Sequence, residues 1–288
     1  MATTTASTPL PNAPVFDFSK TKLARDYTGS YVKILDNVFT AEECAALIRL
    51  AESDAKWEQA ALHYGLGPEE KYVDTAYRNS DRILRWDQGA ADMMLEKLKP
   101  YVPELWEIRS GDKYEGVVSA SNKVLGTWKL VAVNERLSFL KYGPGHYFKG
   151  HCDGQPTLPD GRKARVTIQI YLNEEGLEGG ATRIWDSRQK NYIDVNPKLG
   201  RVLVFQQRGI WHSGEEVTKG LKYTIRSDLL FRVEEDWMET EETEEDEEAK
   251  ERAREEAKKA MAELAAVQSK LGTGGLQGLK RKLGWGLK

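Results

Sequence analysis

The chain has 288 residues, 40% apolar and 30% charged, with a net charge of −3, two cysteines and four histidines. That length holds one large domain or two small ones. No run of 18 apolar residues exists, which excludes a helical membrane span. Cys44 and Cys152 alone cannot form a disulfide scaffold, and the slight negative charge gives no strong nucleic-acid signal. The first fourteen residues are rich in Thr, Ala and Pro and carry neither the charged start nor the apolar centre of a secretory signal. A cytoplasmic protein is expected, with a nuclear one as the alternative and a secreted one disfavoured.

Along the chain, residues 1–29 read as a flexible N-terminal arm, followed by a strand-like run over 31–38. Thr40 with Glu43 fits a capping box, and Cys44, Leu47, Ile48 and Ala51 continue at helical spacing. Met93, Met94, Leu95 and Leu98 predict a second helix ended by Pro100. Between them, residues 57–87 are polar and aromatic without a period, apart from a short strand over 82–86. They read as a long excursion, either a lid or rim for a site or a set of aromatic packing contacts.

From Arg136 the pattern becomes all-β. Strands are predicted over 137–142, 165–173, 181–185, 192–195, 201–205 and 222–231. In the second of these Val166, Ile168, Ile170 and Leu172 alternate with Thr167, Gln169 and Tyr171. Gly and Pro clusters separate the strands, and no β-α-β rhythm or phosphate loop occurs. The expected class is mainly β with flanking helices, a sandwich or barrel of jelly-roll type.

The charge concentrates at the C-terminal end. Residues 234–288 hold 15 acidic and 10 basic residues, a net of −5, against +2 for residues 1–233. Residues 234–248 contain eleven acids and read as a solvated linker. Glu248/Arg252 and Glu255/Lys259 support a following helix, whose narrow apolar stripe is either a plain surface feature or a docking face for a protein partner. The end is Gly-rich with Lys280, Arg281 and Lys282.

Chemistry gathers around His151-Cys152-Asp153. In extended chain, residues i and i+2 share a face, so His151 and Asp153 present an imidazole and a carboxylate together. His212 lies well downstream, just past the strand predicted over 201–205, and antiparallel topology can bring it alongside. Two histidines and one carboxylate suit one face of an octahedral ferrous ion, and equally a hydrolytic zinc site. Lys222 and Arg226 share a face of the last strand. A cation inside a barrel needs an anionic partner, which a bound dicarboxylate supplies. His146 reads as a loop histidine, His63 has no nameable partner, and Cys152 reads as a packed thiol. Residues 160–165 form either a basic loop at the mouth or a solvated hairpin.

The run Tyr142-Gly-Pro-Gly-His146-Tyr-Phe-Lys-Gly-His151-Cys-Asp153, with Gly179-Gly180-Ala-Thr182, Gly200-Arg-Val-Leu-Val-Phe205 and His212 followed by Gly-Leu-Lys222-Tyr223, resembles the 2-oxoglutarate/Fe(II)-dependent dioxygenases, specifically the prolyl 4-hydroxylase alpha-subunit-like domain. The resemblance covers residues 30–233 and is strongest over the core barrel, 134–232. It implies a double-stranded β-helix (a jelly-roll, cupin-like barrel), with residues 234–288 as an appended acidic and helical tail. It also implies Fe(II) held by His151, Asp153 and His212, the cosubstrate 2-oxoglutarate anchored by Lys222 with Tyr142 assisting, and O₂ as oxidant, with ascorbate a family expectation. Arg226 is either a second anion contact or a structural strand residue. The implied reaction decarboxylates 2-oxoglutarate to succinate and CO₂ while hydroxylating an unidentified substrate, a peptidyl proline, another protein residue or a small molecule. A catalytically silent barrel serving as an interaction module is the remaining alternative.

Overall fold

Thr40 does cap the first long helix: its hydroxyl accepts from the Glu43 N–H and the Glu43 carboxylate accepts from the Thr40 N–H, at 3.2 and 2.9 Å. The computed structural model describes residues 13–63, 71–119 and 126–234. The acidic run beyond Glu234, the charged helix and the basic end lie outside the described residues, as do the first twelve. No helix among the described residues is long and apolar enough to cross a membrane.

Leaving aside six short strands among the described residues, the body is organised by β1 (Val32–Leu35), β2 (Arg78–Asn79), β3 (Asp81–Trp86), β4 (Thr127–Val133), β5 (Arg136–Tyr142), β6 (Tyr147–His151), β7 (Lys163–Tyr171), β8 (Thr182–Trp185), β9 (Tyr192–Val195), β10 (Val202–Gln206), β11 (His212–Gly214) and β12 (Lys222–Glu234). Helices α1 (Ala41–Glu52) and α2 (Gln88–Leu98) flank them. The larger sheet runs β1-β10-β7-β12-β5-β3, with β4 also paired to β12; the smaller runs β9-β8-β11-β6-β2. All the pairings are antiparallel. This is the expected mainly-β jelly-roll barrel with helices outside.

One face of the larger sheet carries the core. Ile83, Leu137, Phe139, Ile168, Ile170, Ile225 and Leu229 join Met94 and Leu98 of α2 in the main apolar cluster. Strand alternation then turns Arg82, Ser138, Leu140, Gln169, Thr224 and Arg226 toward the barrel interior, where they line a common cavity. The core therefore fixes register, and register aims the polar face.

Two expectations need correction. Residues 16–29 are not a free arm. Phe18, Leu23 and Tyr27 are buried against Phe205 and Ile210, and the Tyr27 hydroxyl donates to the Trp185 carbonyl at 2.5 Å and accepts from the Trp211 N–H at 3.2 Å. Burial there depends on partners some 180 residues away in sequence, so no local period announces it. Cys152 is an exposed thiol, not a packed one.

Gly200 closes the turn before β10 at φ +71°, and its carbonyl accepts from the Val38 and Phe39 N–H groups. A Cβ there would lie 2.0 Å from the Phe39 carbonyl oxygen. Gly200→Ala is expected to cost at least about 2 kcal/mol, combining overpacking with left-handed strain. A urea midpoint lowered at unchanged slope checks this.

Candidate metal centre and its cavity

β6 ends on His151, which lies opposite His212 in the β6–β11 register. Strand pairing thus carries out the convergence that the sequence only allows. The His151 ring stacks on Phe148 with centroids 3.8 Å apart and meets the His212 ring at 4.3 Å, while Phe205 packs edge-on against His212. His151 Nδ1 lies 2.8 Å from the Lys149 carbonyl and His212 Nδ1 3.1 Å from the Ile210 carbonyl. A carbonyl only accepts, so each Nδ1 carries the proton and each Nε2 keeps a free lone pair. Those Nε2 atoms lie 3.8 and 4.0 Å from the Asp153 carboxylate. One donor atom from each residue falls within 4.8 Å of the others, the one such cluster found among the described residues.

Charge states suit a cation. Burial, with His212 adding, pushes the His151 imidazolium down to about 3, so the ring is neutral near pH 7. Burial alone would push the Asp153 carboxyl up. Arg226, His212, His151 and the Thr167 hydroxyl outweigh it and hold the group well below the usual carboxylate range. Two imidazoles oriented by backbone carbonyls and a carboxylate fit a ferrous ion as a donor set.

Arg226 stands behind Asp153. Its guanidinium is 3.3 Å from the Asp153 carboxylate and 3.0 Å from that of Asp228. Asp228 is held in turn by Asn134 at 3.1 Å and Gln207 at 2.7 Å, and Thr167 donates to Asp153 at 2.6 Å. Arg226 thus orients the carboxylate donor and is committed to two acids. Asp228, Asn134, Gln207 and Thr167 escape the sequence reading, although Asp228 shares strand parity with Lys222 and Arg226. Arg226→Lys keeps the charge but loses the fork. It is expected to weaken metal binding about 10–100-fold, the usual cost of losing a partner behind a ligand; a Mn(II) titration checks this.

Lys222 enters the same cavity, about 480 Å³ in volume, from the other end of β12. It is 2% exposed and has no carboxylate in ion-pair reach among the described residues. Its ammonium lies 4.9 Å from the Tyr142 ring centroid and 5.7 Å from that of Tyr171. Gly180, at φ +71°, makes room for the lysine stem: a Cβ there would be 3.1 Å from Lys222 Cδ. Burial pushes Lys222 down to about 7, with Glu215 a weak opposing influence. Glu215 itself is engaged by Arg183 at 2.9 Å.

The excursion before α2 contributes Arg78 and Arg82 to the cavity wall, and Tyr77 donates to the Gly150 carbonyl at 2.8 Å. His146 stays outside the donor cluster, and the side chain of His63 lies outside the described residues. Arg162 in the 160–165 hairpin is tied to Glu135 and Asp160 rather than to the cavity.

Residues 137–227 match the family model described as the 2OG-Fe(II) oxygenase superfamily. No curated protein matches the chain. Similar solved structures include a viral collagen prolyl hydroxylase from Paramecium Bursaria Chlorella virus-1, at 20% identity and TM-score 0.43, covering 71% of this chain and 98% of that one. A Pseudomonas putida prolyl-4-hydroxylase matches at 17% and 0.44, covering 69% and 91%. A Trichoplax adhaerens prolyl hydroxylase in complex with a hypoxia inducible factor peptide fragment matches at 15% and 0.47, covering 69% and 82%. The family match runs from β5 into the first half of β12, so the segment in which this chain resembles the 2OG-Fe(II) oxygenases is the one that contains all three donors and Lys222.

Proposed function

We propose that His151, Asp153 and His212 hold the ferrous ion and that Lys222 anchors the distal carboxylate of 2-oxoglutarate. The observation that carries this reading is Lys222 itself, a buried ammonium in the cavity of the three donors with no carboxylate in ion-pair reach among the described residues. Burying a cation unpaired costs several kcal/mol, and a site retains one where a ligand supplies the counter-charge. When bound, a ferrous ion supplies the redox chemistry that couples decarboxylation of 2-oxoglutarate to succinate and CO₂ with transfer of one oxygen atom of O₂ to a second substrate. The protein's part is positional. The Lys149 and Ile210 carbonyls fix the two ring tautomers. Arg226 and Thr167 keep Asp153 ionised and aimed. Tyr142, whose ring face lies 4.9 Å from the Lys222 ammonium, is the residue we assign to assist the same carboxylate through its hydroxyl. Phe148 and Phe205 wall the imidazoles from water.

Anaerobic addition of Fe(II) and 2-oxoglutarate tests the reading. A weak visible charge-transfer band is expected only when both are present. A metal-dependent hydrolase using the same donors gives no 2-oxoglutarate-dependent band, and a silent barrel gives neither band nor succinate. A prolyl hydroxylase in complex with a peptide fragment stands among the similar structures, and proline peptides are included beside small metabolites in the substrate screen.

A further inference from the structure

Three more guanidiniums face the cavity: Arg78 from β2, Arg82 from β3 and Arg136 from β5. None has a carboxylate in ion-pair reach among the described residues. Arg78 is 8% exposed, donates to the Ser80 hydroxyl at 3.2 Å and lies over the Phe148 ring at 4.5 Å. Arg136 sits over Trp86 at 5.8 Å. Burial, then Arg78 and Arg136, push Arg82 down to about 10, so the three groups sense one another.

The charges already assigned leave this cluster uncompensated. A ferrous ion, Arg226 and Lys222 together bring four positive charges. Asp153, Asp228 and the 2-oxoglutarate dianion bring four negative ones. Arg78, Arg82 and Arg136 remain. Nor can the cosubstrate neutralise the whole cluster. Lys222 pairs with Tyr142 across β12 and β5, and Arg136 lies six residues further along β5, roughly 20 Å at strand rise. A five-carbon diacid held at Lys222 is far shorter.

We propose that Arg78, Arg82 and Arg136 form an anion subsite for the substrate that is oxidised, and that this substrate is a small organic acid or phosphate ester. The proposal rests on the dioxygenase reading and names its second substrate. Unpaired arginines on a half-enclosed wall are costly unless a ligand supplies oxyanions, and guanidinium forks match carboxylate and phosphate oxygens in pairs. One acidic side chain on a peptide would neutralise only one of the three. The cavity volume falls within the range of small-molecule sites.

The test uses the full chain loaded with Mn(II) and 2-oxoglutarate, titrated calorimetrically with inorganic phosphate and, separately, acetate. One of the two is expected to bind saturably, and which one binds tells phosphate from carboxylate. Affinity is expected to fall at least tenfold in Arg82→Gln and in Arg136→Gln. Arg82→Lys, which keeps the charge, should fall between, and it serves if the glutamine variants fail to fold. Variants that titrate like the parent, or a parent that binds neither anion, overturn the proposal. Succinate release in the presence of Fe(II) gives the second arm: small acids or phosphate esters should stimulate it, whereas stimulation only by acidic peptides or only by neutral compounds overturns the assignment. Failure of the parent to bind 2-oxoglutarate at the loading step sinks the dioxygenase reading instead, so the two failures are separable.

Discussion

Asp153→Asn is expected to abolish 2-oxoglutarate turnover and to weaken metal binding by more than the roughly 10–100-fold that loss of a partner behind a ligand costs. The substitution is nearly isosteric, and the Thr167 hydroxyl that donates at 2.6 Å keeps an oxygen to meet. What disappears is the single negative charge among the three donors. The two imidazoles then face one another and Arg226 with nothing to balance a divalent cation. Arg226 retains Asp228 at 3.0 Å, so the fold is expected to survive. Stability should respond in a defined pH window. The Asp153 carboxyl is held below its unfolded value of about 3.9, so it stabilises the metal-free protein above that pH, and the contribution is lost as pH falls through the folded value. Parent and variant unfolding temperatures should therefore differ near pH 7 and converge in acid. Undiminished succinate release by the variant would remove Asp153 from the donor set.

Two of the three donors were legible because their chemistry is local, whereas His212 joins them only through the β6–β11 pairing. His151 and Asp153 differ by two residues, and strand parity alone puts them on one face. Lys222 and Arg226 share parity for the same reason, but parity could not tell which is committed. That distinction lies in Asp228, two residues along on the same face of β12, and in Asp153, which the folded barrel brings to Arg226 from outside that strand. β6 itself escaped notice. Tyr147-Phe-Lys-Gly-His shows no alternation, and four of its five residues are half-buried. The arginine cluster was illegible for a stronger reason. Its members come from three strands, and their convergence depends on the registers Arg78 to Phe148, Arg82 to Leu140 and Arg136 to Trp86. The packing of Phe18 and Tyr27 likewise depends on β10 and on the segment after it.

Lys222→Met is expected to stabilise the ligand-free protein while weakening its affinity for 2-oxoglutarate. The two effects share one cause. In the protein itself the ammonium is 2% exposed and faces the Tyr142 and Tyr171 rings, with Glu215 engaged by Arg183. Burial lowers its folded value to about 7, against about 10.4 unfolded. The unfolded chain therefore binds the extra proton between those values, and the parent gains stability as pH rises from about 7 toward 10. The methionine variant, apolar and of similar reach, lacks that slope and should unfold at a higher temperature near pH 7. Binding runs the other way. A charge-assisted contact contributes roughly 1.5–3 kcal/mol, so the dissociation constant should rise about tenfold to over a hundredfold. Because the charged form is the one that binds, affinity in the parent should weaken above pH 7 by up to about tenfold per pH unit. Lys222→Arg, charged throughout, should flatten that dependence. A methionine variant with the parent's dissociation constant would shift the anchor to Arg78, the other buried cation beside Tyr142.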